Sequence, residues 1–284
     1  MVKTQVRRLD SLSYQHNSDK STVLSVVGPI ATTAPAVRLL LKSILSQNPW
    51  LHDPLVIELP WRDDLEMETL KLIKASTAEK GQLAFGILEN DGIVTPQPPV
   101  ARAISIVAET LRRLGHKVIP WNPPSHDEIN KIVLNSWAYD GGADIFSAFA
   151  LSGEPPAPAI TRSFGKAPTS QWDASRIHAN NVAHREIKKR YVDYWNSTVE
   201  LTGTDRPVDA FISPVAPGSA ARRDKYSYYG YSTFVNGLDY TSVVVPITQV
   251  DKGVDTRYPE GYKPLTEQDK VVFEDCKSLF YNHY

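Results

Sequence analysis

A short apolar run, QLAFGIL at residues 82–88, is followed by a turn, a helical pattern and a second strand-like run, HKVIPW at 116–121. No other feature restricts the fold of the chain as much. The first run leads into Glu89-Asn90-Asp91-Gly92, residue types that suit a turn. From Pro98 to Leu114 the apolar residues Val100, Ile104, Val107, Leu111 and Leu114 share one helical face, and Gly115 stands where a helix-ending glycine belongs. Strand, helix and strand within about forty residues make a βαβ unit, whose strands run parallel and whose crossover is right-handed. The fold class expected is therefore α/β.

The flanking segments supply further elements. SVVGPIATTAPAVRLLLKSIL, residues 25–45, reads as a strand, a Gly-Pro turn and a helix capped by Thr33, with Val37, Leu40, Leu41, Ile44 and Leu45 on one face. Pro49, Pro54 and Pro60 break the next stretch into a connector, whose Trp50 and Trp61 are expected to cover apolar surface. Helices should flank YDGGADIFSAFALSGEPPAPAI, which carries Gly141-Gly142 and a proline-rich loop. A long helix is predicted from near Ser170 toward Gly203, with Lys188, Lys189 and Arg190 facing outward. VDAFISP reads as a strand, and the aromatic-rich run after it leads into a β-branched strand from Ser242 to Pro246.

Composition removes several classes of function. With 284 residues, 42% apolar and 22% charged, the chain has material for a real core and is too apolar for disorder. Thirty-one basic residues against thirty-two acidic ones take away the electrostatic case for a nucleic-acid partner. No run approaches the length of a membrane span, and MVKTQVRRLDSLSYQHNSDK lacks the apolar core of a signal peptide. Residues 1–20 read as a polar, poorly ordered N-terminus. Cys276 is the single cysteine, which agrees with a reducing, cytoplasmic setting. Asn196-Ser197-Thr198 matches a glycosylation acceptor but falls in an expected helix.

The search for chemistry is mostly negative. There is no GxxxxGK[ST] and no GxGxxG, and the seven histidines are scattered, so neither a cofactor nor a metal is expected. Gly28 is followed by Pro29, which removes an N–H that a phosphate would need. No GxSxG occurs; Ser219 in APGSAA comes nearest, and reads either as a loop residue or as a nucleophile served by His178 or His184. Asp140 and Asp144 could form an acid–base couple, but read first as helix-start residues, since carboxylates there are stabilised by the helix dipole. Tyr226, Tyr228, Tyr229, Tyr231 and Phe234 are a pocket wall or the edge of the core.

Taken in order, SVVGPIATT, PPVARAI, LRRLGHKVIPW, DGGADI, LSGEP, DAFISPVAP and VNGLDYTSVVVPIT resemble the fungal acetamidase branch of the amidase signature family, from about Ser21 to Lys270. The resemblance implies a mixed sheet flanked by helices and hydrolysis of carboxamide C–N bonds without a metal, by a Ser-cisSer-Lys triad in which a lysine of lowered pKa activates the serine. It further implies that the triad lies upstream of the SVVGP segment, in a GGSSGGE-like stretch and before it. The one Gly-Gly here, at 141–142, is followed by Ala143, so no catalytic residue is assigned. The expectation is a partial amidase domain over residues 21–284, incomplete at both ends, with unpaired strand edges and uncovered apolar surface, and inactive alone. The alternative is a retained noncatalytic module that binds a small molecule or a partner. By the same resemblance SPVAP and YGYSTFVNGLDY contribute to the substrate pocket, with Tyr231, Phe234, Asn236 and Tyr240 as candidates for a small-molecule amide.

Overall fold

In the computed structural model, which describes residues 2–5, 23, 28–53, 56–74, 83–221, 225–255 and 258–281, the βαβ unit stands where its sequence places it. Strand β3 (Ala84–Ile87) passes through α3 (Pro98–Arg113) into β4 (Lys117–Pro120), and β5 (Ala210–Ile212) pairs with the other side of β3. All pairings are parallel, Ala84 opposite Lys117 and Phe85 opposite Ala210, in the order β4-β3-β5. Alternate residues of β3 serve opposite faces. Ile87 meets Ile104 and Ala108 of α3, while Ala84 belongs to the larger core on the other side. A parallel strand covered on both faces needs an apolar run of this kind.

A second sheet is antiparallel, with β1 (Val2–Gln5) between β2 (Ile30–Ala31) and β6 (Ser242–Val244). The mixed character expected of the sheet is thus divided between two three-stranded sheets. Residues 2–5 form a strand, where the polar N-terminus reads as poorly ordered; the rest of that expectation, over 6–20, lies outside the described residues, as does the strand at 25–27.

Helix α1 (Ala34–Leu45) begins as predicted, with the Thr33 hydroxyl accepting from the Ala36 N–H at 3.3 Å. After a 3₁₀ turn (Pro49–Leu51) comes α2 (Asp63–Lys74). Trp61 is half-buried there; its indole donates to Glu66 and lies under Arg38 and Lys42. Then follow α4 (His126–Trp137), α5 (Ala143–Ser152), α6 (Pro158–Phe164), α7 (Ala174–Ser197), α8 (Val199–Thr202), α9 (Gly230–Leu238) and α10 (Glu267–Tyr281). The segment read as lying between helices itself holds α5 and α6, with Gly141 and Gly142 at positive φ before α5. Asp140 accepts from the N–H groups of Gly142 and Asp144, so it caps the turn into α5. The long helix starts at Ala174, four residues later than expected, where the capping Asp173 accepts from the Arg176 N–H at 2.8 Å.

The main core packs α4, α7 and α9 against the parallel sheet. Trp121, just past β4, is 1% exposed and stacks on Phe211 of β5 at 4.9 Å, edge-on to Tyr194 and Trp195 of α7. Gly86 makes this possible: a Cβ there would lie 2.5 Å from Trp121 Cε3. Gly237 does the same for α9, where a Cβ would come within 2.7 Å of Val133. His126 of α4 stacks on Phe234 at 4.0 Å and bonds Tyr191 at 2.9 Å. The Asn180 amide of α7 donates to the Ile132 carbonyl, the Ser136 hydroxyl and the Tyr139 hydroxyl, which fixes the register of α7 against α4.

Two outcomes are expected. Gly86→Ala should lower stability by about 1–3 kcal/mol through overpacking against Trp121, measured by urea unfolding; an unchanged midpoint would contradict the close approach. Burial pulls the His126 imidazole down to about 4, whereas in the unfolded chain it titrates near its ordinary value of about 6.5. Between those values the unfolded state binds a proton that the native state refuses, so stability falls as pH drops from about 6.5 to about 4, by about 3 kcal/mol in all. Burial also lowers His184 and adds in the same direction. Unfolding midpoints of His126→Gln should therefore decline less steeply between pH 7 and pH 5 than those of the native sequence.

Candidate functional site

Ligands of open parallel sheets gather beyond the carboxyl ends of the strands, where loops from neighbouring strands diverge. At that edge of this chain the loop after β3 and the loop after β5 face each other. The Gln97 N–H donates to the Pro217 carbonyl at 2.7 Å, which joins them. Gln97 is 5% exposed and stands at the start of α3 without using its side chain as a cap. Its carboxamide instead lies over Gly218, where a Cβ would come 3.0 Å from Oε1. Together with Tyr226, Ser227 and Tyr228 these residues line a small open cleft, closed on one side by Val272 and Asp275 of α10.

The loop after β3 is held by Asp91. Its carboxylate accepts from the N–H groups of Ile93 at 2.9 Å and Val94 at 3.0 Å and from the Tyr228 hydroxyl at 2.5 Å. Tyr231 takes the Asp91 N–H at 3.2 Å and donates to the Val94 carbonyl at 2.6 Å. Burial pushes the Asp91 carboxyl above its ordinary range, and burial, with Asp91 nearby, pushes the Tyr228 and Tyr231 hydroxyls well above theirs. Both phenols consequently keep their protons and serve as donors.

Asp269 performs the matching task for α10. Fully buried, it accepts from the Thr95 N–H at 3.1 Å, the Thr95 hydroxyl at 3.2 Å, the Leu265 N–H at 2.8 Å and the Tyr262 hydroxyl. Thr266 caps the helix by accepting from the Asp269 N–H at 3.0 Å and donates to the Ile93 carbonyl at 2.9 Å. Gln268 reaches across to the Ser227 hydroxyl at 3.2 Å. The cleft wall thus rests on a few buried polar contacts.

Of the four residues singled out from the sequence, none lines this cleft. Tyr231 and Phe234, three apart on α9, turn into the core with 1% and 0% exposure. Asn236 is half-buried at the end of the same helix, and Tyr240 is half-buried against the rings of Tyr191, Trp195 and Phe211. Of the wider aromatic cluster it is Tyr226 and Tyr228 that form a wall, with Tyr229 edge-on to Tyr226 at 4.6 Å. His184 bonds the Gly237 carbonyl at 2.6 Å inside the core. Gln97, Gly218, Ser227 and the two anchoring carboxylates carry no motif, although Thr266-Glu267-Gln268-Asp269 has the spacing of a capping box and could have located α10.

The cleft offers a carboxamide, hydroxyls and aromatic faces, with one cation, Lys225, and one carboxylate, Asp275, also on its lining, a set suited to hold a small polar molecule without net charge by hydrogen bonds and ring contact. Replacing Asp269 by alanine leaves the Thr95 and Leu265 N–H groups and the Tyr262 hydroxyl without their acceptor. A loss of about 3 kcal/mol or more is expected in urea unfolding, with faster amide exchange over α10; unaltered exchange would show that the helix is anchored by other contacts.

Comparison with known proteins agrees with this architecture. The family model "Amidase" matches residues 8–269. An acetamidase of Aspergillus oryzae is 41% identical over 268 residues, 93% of this chain and 47% of its own length. An acetamidase of Emericella nidulans is 35% identical over 261 residues, covering 90% of this chain and 45% of that protein. The chain therefore spans about half the length of the relatives it matches. Among solved structures, fatty acid amide hydrolase superimposes with a TM-score of 0.75 at 20% identity, over 96% of this chain and 46% of that one, which shows a shared fold. The chain belongs to the amidase family.

Proposed function

We propose that residues 21–284 form one amidase unit that supplies the substrate-holding part of a carboxamide hydrolase and does not supply its nucleophile. The observation that carries this is the cleft at the carboxyl edge of β3 and β5: Pro217, Gly218, Tyr226 and Tyr228 come from the two segments that the amidase resemblance associates with the substrate pocket or lie beside them. The family reaction runs by a Ser-cisSer-Lys triad, and the sequence contains no Gly-Gly-Ser-Ser run from which to build one. Acetamide is the natural first ligand, because both relatives described above are acetamidases.

In this reading Gln97 pairs with the carboxamide of the substrate while Tyr226 and Tyr228 border its acyl group. Tyr231, Phe234, Asn236 and Tyr240 then act behind the cleft, as the packing that sets its floor. The nearly balanced charge favours a neutral small molecule over nucleic acid, and the single cysteine suits the cytoplasm. Among the described residues no helix is long and apolar enough to cross a membrane.

Saturation-transfer NMR with acetamide and an ammonia-release assay test the reading together. The purified chain should transfer saturation to the acetamide methyl group, Gln97→Ala and Tyr226→Ala should reduce that transfer several-fold, and ammonia should not exceed the blank. Turnover by the chain alone would overturn the assignment of the nucleophile elsewhere, and absence of transfer would overturn the pocket.

A further inference from the structure

Helix α2 carries Leu65, Met67, Leu70, Leu72 and Ile73 in twelve residues, yet among its described side chains none is buried. An isolated helix of this length is marginal in water, and helices in proteins draw most of their stability from packing an apolar face. What holds α2 is polar: Arg38 of α1 forks onto Glu66, Lys42 pairs with Asp63 at 2.6 Å, and Trp61 lies under both cations. Exposed pairs of this sort contribute little.

The same lobe is apolar elsewhere. Helix α1 packs on the sheet that β6 completes, and it leaves Leu39 68% exposed. Strand β6 is an edge of that sheet, and along it and beyond, Val243, Val245 and Ile247 are exposed at every second position, so that one apolar face looks outward. Edges and faces of this size are normally covered.

We infer that the lobe of α1, α2 and β6 is the docking face for the remaining part of an amidase body, the part that the matched relatives carry and this chain does not span, whether it arrives on the same polypeptide or on another. Three lengths identify the occupant. The chain accounts for 47% and 45% of the two acetamidases and, at a TM-score of 0.75, for 46% of fatty acid amide hydrolase. What the chain spans is therefore less than half the length of each of these relatives. The inference rests on family membership and those lengths, not on amide binding, so a cleft that ignores acetamide leaves it standing and a failed docking leaves the cleft reading standing.

The test co-expresses the full chain, tagged, with the part of the Aspergillus oryzae acetamidase outside the 268 matched residues. A one-to-one complex is expected, with amide exchange over residues 63–73 slowed about a hundredfold. Leu70→Asp combined with Val245→Asp should cut capture about tenfold or more without altering the melting of the chain alone. Val192→Asp, on the exposed side of α7, should leave capture unchanged. Exchange that stays fast within a complex, capture indifferent to the double substitution, or a face occupied by a second copy of this chain would overturn the proposal. If the added segment does not fold separately, a single-chain chimera that joins the two in the order found in the relative decides the matter, since residues 63–73 must be protected there and fast exchange in the folded chimera refutes the docking.

Discussion

The contact between Trp121 and Gly86 holds the two layers of this chain together. A parallel sheet needs helices on both faces, and on one of them an indole is seated directly on the backbone of the central strand, stacked on Phe211 and edge-on to Tyr194 and Trp195. Because the ring occupies the space of a missing Cβ, it lies low on the sheet, where Tyr194 and Trp195 of α7 meet its edge. The position of α7 then sets that of α4 through Asn180, and α4 sets α9 through the close approach at Gly237. The steps at Gly86 and Gly237 are packing constraints without tolerance for an added methyl group.

What the sequence made legible follows the same division. The βαβ unit could be read because its strands are continuous apolar runs and its helix a regular one, patterns set by burial on known faces. Helix α9 could not. GYSTFVNGL has two glycines, a β-branched core and aromatics, all poor helix formers, and it is helical because Tyr231, Phe234 and Leu238 find partners on α4, α7 and β5. Tertiary contact overrides propensity there, and the same contacts turn Tyr231 and Phe234 inward, where the local pattern also allowed a pocket wall. The cleft residues are harder still, since Gln97 and Gly218 lie 121 residues apart and meet only through the pairing of β3 with β5.

The antiparallel sheet has a different character. It is tied to the parallel half through Arg102 of α3, whose guanidinium forks onto Asp255 at 2.7 and 2.8 Å and also reaches the Gln249 carbonyl, pinning the chain that follows β6. Asp255 is 2% exposed, and the guanidinium beside it holds its carboxyl below the usual carboxylate range. A buried pair of this kind is weak evidence for net stability, because desolvation offsets much of the attraction, but it specifies one arrangement.

Those two modes of attachment have opposite consequences for assembly. Around Trp121 the large apolar side chains Phe234, Ile129, Ile187 and Tyr191 are buried within the chain. Around α1, α2 and β6 the fixings are ionic and aromatic at the surface, while leucines and valines stay outside. Ionic fixings hold orientation at little cost and leave the apolar area available, whereas apolar fixings would have used it up. A lobe built this way has its geometry set in advance and its hydrophobic stabilisation still to be gained, which is the condition under which a covering element adds both stability and order to what it covers.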